Sequence, residues 1–301
     1  MTFSGTVKAE LCNAPIDKYK IEIAELCGMF LFANTFSANE IKITTENPDF
    51  AHRASRILKM LFGFDFDKKI VPREATKKHS LGITNKDKLK QVLESFGFDL
   101  TRSHTVHLNG ALVEDDLSRA AFLRGAFLSG GSIMDPANEY HLELVTSHYY
   151  LVREVKALLY ELEINARITQ RKGNHIVYFK DSEEIEELLT RMGAPISAMG
   201  VMDAKALKEL RNSINRRSNC EVANISKTID AAAKQIEAIE IIKDTKGLET
   251  LTPQLYEVAV ARLANPDATM TELCEILGGT VTKSGLNHRL RKLIEISKGM
   301  R

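Results

Sequence analysis

Ser284, Asn287, His288 and Arg291 fall at i, i+3, i+4 and i+7, so on a helix they share one face. Amide, hydroxyl, imidazole and guanidinium groups in such a row reach base edges and phosphates. The opposite face of the same segment carries Leu286, Leu290, Leu293 and Ile294 at i, i+4, i+7 and i+8, a core stripe. From Thr280 to Arg301 six cations (Lys283, Arg289, Arg291, Lys292, Lys298 and Arg301) stand against one acid, Glu295. The whole chain has a formal net charge of only +1, so this local concentration is what a phosphate-neutralising surface requires. On charge alone, a solvated basic helix is the plainer alternative.

Other reactive residues offer less. Cys12, Cys27, Cys220 and Cys274 form no C-x-x-C pair and read as reduced thiols of an intracellular protein. His104 and His107 are i, i+3 but have no cysteine partners, so neither a metal nor a cofactor is expected, and no catalytic residue.

The elements that must position the basic stripe are strongly punctuated. Thr252-Pro253 reads as an N-cap with proline at the first helical position, and that helix should stop before Pro266. Thr269 and Glu272 form a capping box that opens a short helix, with Leu273, Ile276 and Leu277 turned inward. Gly278-Gly279 supplies a turn, and Thr282 caps the next helix. The pattern is a helix-turn-helix whose expected DNA-facing residues are Thr271, Thr282, Lys283, Ser284, Asn287, His288, Arg289, Arg291 and Lys292.

At 301 residues, 44% hydrophobic and 27% charged, the chain is long enough for two domains. No apolar run approaches a membrane span and the N-terminus lacks a signal-peptide core, so a cytoplasmic, nucleoid-associated protein is expected. An internal repeat stands out. An apolar helix (26–33), an alternating strand (40–44), an amphipathic helix (50–62), a β-rich stretch and a short helix (86–96) come first. They recur as 120–128, 141–146, 151–162, a hairpin around Lys172-Gly173-Asn174, and 183–192. Residues 206–224 turn Arg- and Asn-rich and read as a linker or docking helix. Ile225, Ile229, Ala232, Ile236 and Ile239 then step as a helix packed into a small bundle.

Phe122-Leu123-Arg124-Gly125-Ala126-Phe127-Leu128-Ser129-Gly130-Gly131 resembles the signature helix of LAGLIDADG homing endonucleases, and Leu26 to Phe36 a weaker first copy. The resemblance implies two helices packed through Gly28 and Gly125, each ending in a metal-binding acid. The matching positions are Ala33 and Gly130, which hold no carboxylate for a cation. The whole chain is similar to the WhiA family. The match includes Val7-Lys8-Ala9-Glu10-Leu11, Asn215-Arg216-Arg217-Ser218-Asn219-Cys220-Glu221 and Lys283-Ser284-Gly285-Leu286-Asn287-His288-Arg289-Leu290-Arg291-Lys292-Leu293.

That resemblance implies an α+β fold: a duplicated, pseudo-symmetric LAGLIDADG-like domain over 1–205 (repeats 16–100 and 116–195), a linker over 206–224 and an all-α helix-turn-helix domain over 225–301. It implies a transcription regulator acting at promoters, tied to cell division, chromosome segregation and sporulation. Double-stranded DNA is the expected partner, other transcription or division proteins are further candidates, and no membrane is involved. Two alternatives stay open: an N-terminal domain that cuts or nicks DNA, and one that serves as a protein-interaction platform. Lys42, Lys68, Lys69, Arg73, Lys77, Lys78, Arg102, Arg167, Arg171 and Lys172 lie where a LAGLIDADG saddle would face DNA; retained phosphate contacts and solvated strand faces weigh equally.

Overall fold

A computed structural model describes residues 2–16, 18–70, 78–98, 105–279 and 281–300. Arg73, Lys77, Arg102 and His104 lie outside the described residues. The chain divides into two compact units, Met1–Glu209 and Leu210–Arg301.

The first unit opens with α1 (Phe3–Cys12) and then runs the same series twice. The first pass is α2 (Tyr19–Leu31), β1 (Thr35–Phe36), β2 (Ile41–Thr45), α3 (Pro48–Phe62), β3 (Lys68–Ile70), β4 (His79–Ile83) and α4 (Lys86–Ser95). The second is α5 (Asp116–Gly130), β5 (Gly131–Ile133), β6 (Leu142–Thr146), α6 (Tyr149–Glu161), β7 (Arg167–Arg171), β8 (Asn174–Phe179) and α7 (Ser182–Met192). The two four-stranded antiparallel sheets have matching orders, β1-β2-β4-β3 and β5-β6-β8-β7. Small details repeat as well: Thr45 Oγ1 accepts from the Asn47 N–H, and Thr146 Oγ1 from the His148 N–H.

Local chemistry explains where elements start and turn. Asn47 and Asn85 cap α3 and α4 through their side-chain oxygens, and Asp115 with Ser118 builds a capping box on α5. Lys172 and Gly173 both have positive φ, 51° and 81°, as a two-residue hairpin between right-twisted strands demands.

The helices α2 and α5 form the centre of the unit, and their glycines explain how closely they meet. A Cβ on Gly28 would lie 2.1 Å from the Phe122 carbonyl oxygen, and one on Gly125 would lie 2.0 Å from that of Glu25. Each helix thus seats the other's backbone where a side chain would stand. Just N-terminal to these glycines, buried Glu25 receives two arginines: Arg53 Nε at 2.5 Å and Arg124 Nη2 at 2.6 Å. Arg53 also donates to the carbonyls of Cys12 and Ala14, and Arg124 to that of Met192. Every guanidinium nitrogen of the two arginines thus has an acceptor, which a buried ion pair needs in order to repay its desolvation.

The helix α8 spans Pro195–Thr245, and the unit boundary falls inside it. Residues 206–224, read as a linker or docking helix, are helical. They contain neither glycine nor proline to break the helix, and Arg217 pairs with Glu221 at i, i+4. The second unit continues with α9 (Pro253–Ala264), α10 (Met270–Ile276) and α11 (Lys283–Lys298) around Ile239, Ile242, Val258, Leu273, Leu286, Leu290 and Leu293. On α8 Ala232 is buried, but the apolar seam enters this core only from Ile239 onward. Ile225 and Ile229, expected to pack, are 60% and 61% exposed. Periodicity names the face of a helix; only the neighbouring elements decide how much of that face is covered.

Candidate nucleic-acid interface

The turn of the helix-turn-helix is built as its residues dictate. Thr269 Oγ1 accepts from the Glu272 N–H at 3.3 Å, while Glu272 Oε2 accepts from the Thr269 N–H at 2.7 Å. The Thr269 N–H and hydroxyl hold the Glu272 carboxyl below the usual carboxylate range. Gly278 and Gly279 take φ of 76° and 68°, and their N–H groups close α10 onto the Glu275 and Cys274 carbonyls. Thr282 Oγ1 then accepts from the Gly285 N–H and starts α11. Leu273 is buried and Leu277 half-buried, but Ile276, expected inward, is 50% exposed. The inward side of this seven-residue helix is taken by Met270, Leu273 and Cys274, with Leu277 at its C-cap.

On α11 the two faces separate cleanly. Leu286, Leu290 and Leu293 are buried; Lys283, Ser284, Asn287, His288, Arg291 and Lys292 are exposed, as are Thr271 and Thr282, and Arg289 is half-buried. Lys292 lies 3.9 Å from Glu295. No carboxylate of the described residues pairs with Lys283, Arg289 or Arg291, so their charges remain available to an external anion.

The basic residues of the first unit are arranged less uniformly. Lys42 and Lys68 both stand opposite Gly82 in the register, on the face of the first sheet away from buried Ile41 and Ile43. Lys69 falls on the other face and pairs with Asp65, and Lys78 lies 3.9 Å from Glu46. In the second sheet Arg167 and Arg171 share a face, with Lys172 in the adjoining turn. That face also holds Glu143, which the sequence reading missed. Its carboxylate lies 3.5 Å from Arg171 Nη2, and Asp181 lies 3.8 Å from Arg167. The signal was present: Glu143 alternates between buried Leu142 and Leu144, so it must point outward.

The positions where the LAGLIDADG pattern carries acids are equally informative. Ala33 follows the end of α2, half-buried. Gly130 ends α5, and a Cβ there would lie 2.5 Å from the Val145 carbonyl oxygen and 3.1 Å from Phe32 Cβ. Among the described residues no group of three or more His, Cys, Asp or Glu side chains is placed to hold a metal ion.

Comparison with known proteins fits this architecture. Residues 119–211 match the WhiA LAGLIDADG-like domain and 214–297 the WhiA C-terminal HTH domain. A probable cell division protein WhiA of Ruminiclostridium cellulolyticum is 37% identical, the alignment covering 100% of this chain and 98% of that protein. The chain belongs to the WhiA family. A second WhiA, from Alkaliphilus oremlandii, is 38% identical over 99% of this chain and 97% of its own length. The crystal structure of full-length DUF199/WhiA from Thermatoga maritima superposes with a TM-score of 0.61 at 26% identity, covering 99% of this chain and 98% of that one. Membership in the WhiA family, with its helix-turn-helix, makes this a DNA-binding protein. No helix among the described residues is long and apolar enough to cross a membrane.

Proposed function

We propose that this WhiA family protein is a sequence-specific transcription regulator that reads promoters through α11, with roles in cell division, chromosome segregation and sporulation. The observation that carries the reading is the exposed row of Ser284, Asn287, His288 and Arg291, directly opposite buried Leu286, Leu290 and Leu293. A rigid helix that presents base-reading groups and unpaired cations on one side is the working part of a major-groove reader. Thr271, Thr282, Lys283, Arg289 and Lys292 supply phosphate contacts around it. The first unit contributes weak backbone contacts from Lys42, Lys68, Arg167, Arg171 and Lys172, tempered by Glu143. Such a protein works at the nucleoid, and its relatives' name supports the link to division.

Nuclease chemistry is not part of this proposal, because Ala33 and Gly130 leave the metal-binding positions without carboxylates. Genome-wide mapping of bound DNA tests the reading. Discrete promoter peaks are expected for the wild type, and their loss in an Asn287→Ala/Arg291→Ala variant of normal abundance. Peaks that persist unchanged in that variant would move the reading surface away from α11.

A further inference from the structure

The second unit holds a small cavity that the DNA-facing stripe does not use. It measures about 180 Å³ and is lined by Lys227, Thr228 and Gln235 of α8, Arg262 of α9 and Met270 of α10. Arg262 is 2% exposed and Gln235 8%. Folded proteins leave very few buried polar atoms without a partner. Two are left here, of complementary kind: Arg262 Nε, a donor, and Gln235 Oε1, an acceptor. No carboxylate of the described residues pairs with the Arg262 guanidinium. Its Nη1 donates instead to the carbonyls of Ala268 at 2.7 Å, Pro266 at 3.4 Å and Asn265 at 3.5 Å. Burial draws its pKa below the ordinary arginine range. A buried cation served only by neutral groups calls for an anion.

We propose that this cavity binds a small oxyanion that also carries a hydroxyl group, the class of monohydrogen phosphate. An anionic oxygen accepts from Arg262 Nε, the ligand hydroxyl donates to Gln235 Oε1, and Lys227 at the rim adds a second positive charge. The volume suits a compact ion and falls below the roughly 300–1,000 Å³ of sites for drug-sized ligands. The location gives the ligand a consequence. Arg262 holds the Ala268 carbonyl immediately before Thr269, the cap of α10, so an anion on the guanidinium fixes the turn that aims α10.

Calorimetric titration of the full chain with inorganic phosphate, in the absence of DNA and at fixed ionic strength, tests the site. Sulfate is the comparison, because at neutral pH it has the same shape but no hydroxyl to donate. Saturable binding of one phosphate per chain is expected, with sulfate weaker by about tenfold for the lost hydrogen bond. Gln235→Met keeps the side-chain length and removes the acceptor, so phosphate and sulfate should then bind alike. Lys227→Ala, an exposed change that leaves the core intact, should weaken both anions several-fold. Absence of saturable phosphate binding, equal affinity for the two anions in the wild type, or a preference that survives in Gln235→Met would overturn the proposal. Should Gln235→Met fail to fold by circular dichroism, unchanged phosphate affinity in Lys227→Ala would overturn it alone.

Discussion

At the scale of single residues, we propose that Asn287 and Arg291 separate the two components of DNA recognition. Both stand away from the core stripe, so their loss should leave the fold intact. Asn287→Ala is expected to weaken binding by about 1–3 kcal/mol and relax preference at one base pair, as loss of a base-edge contact does. Arg291→Ala is expected to weaken target and scrambled duplexes alike and lower the salt slope by about one ion, as loss of a phosphate contact does. Binding isotherms at several salt concentrations check both; wild-type affinity and slope in folded variants would remove α11 from the interface. A second residue-scale expectation concerns Lys8, whose ammonium donates to the Leu128 carbonyl. Burial pushes its pKa down to about 8 from 10.5, partly offset by Cys12. The folded chain gives up this proton before the unfolded chain does, so the burial penalty is present below pH 8 and fades between about 8 and 10.5. Lys8→Met should therefore melt higher than the wild type at neutral pH, with the gap closing across that window. A gap that widens with pH would contradict the assignment.

At the scale of elements, the α2–α5 contact is decided by two hydrogens on two glycines. Replacing a helical glycine by alanine ordinarily gains about 1 kcal/mol of helix propensity. At Gly28 and Gly125 the added methyl meets a carbonyl oxygen of the partner helix at about 2 Å, and backbone cannot rotate away as a side chain can. Overpacking of this kind costs about 1–3 kcal/mol, so each single alanine variant is expected to be destabilised despite the propensity gain. The two changes open the same interface, and the separation forced by one relieves the other. The double variant should lose less than the sum of the singles in urea melts. Strict additivity would mean that the two helices yield independently.

At the scale of the whole molecule, the duplicated scaffold is present, while Ala33 and Gly130 stand where the LAGLIDADG pattern carries acids. The repeat offset is 97 residues at the glycines (28 and 125), 101 at the paired strands β2 and β6 (41 and 142), and 96 at β4 and β8 (79 and 175). Length changes are absorbed in connections while the register of each sheet holds, as loops on a fixed core allow. The purified protein is expected not to cut plasmid DNA with magnesium or manganese. Ala33→Asp/Gly130→Asp is not expected to create that activity, because position 130 has no space for a side chain. Metal-dependent, EDTA-sensitive cleavage by that double variant would show that the helix ends can open into a working site.

The sequence by itself determined the features written in local chemistry. The capping box of Thr269 and Glu272, the paired glycines 278 and 279, the Thr282 cap and the two faces of α11 all depend on residues within one or two helical turns. The duplicated order and the hairpin at Lys172-Gly173 were legible for the same reason. Only the tertiary structure decided the depth and pairing of groups far apart in the chain. Glu25 meets Arg124 across 99 residues, Glu143 comes to face Arg171, and buried Arg262 lines one cavity with Gln235 and meets no carboxylate among the described residues. Ile225 and Ile229 carry the same periodic signal as Ile239, yet lie outside the core. A period of 3.6 fixes which way a side chain points along its own helix, whereas burial and charge pairing are set by which other elements arrive there.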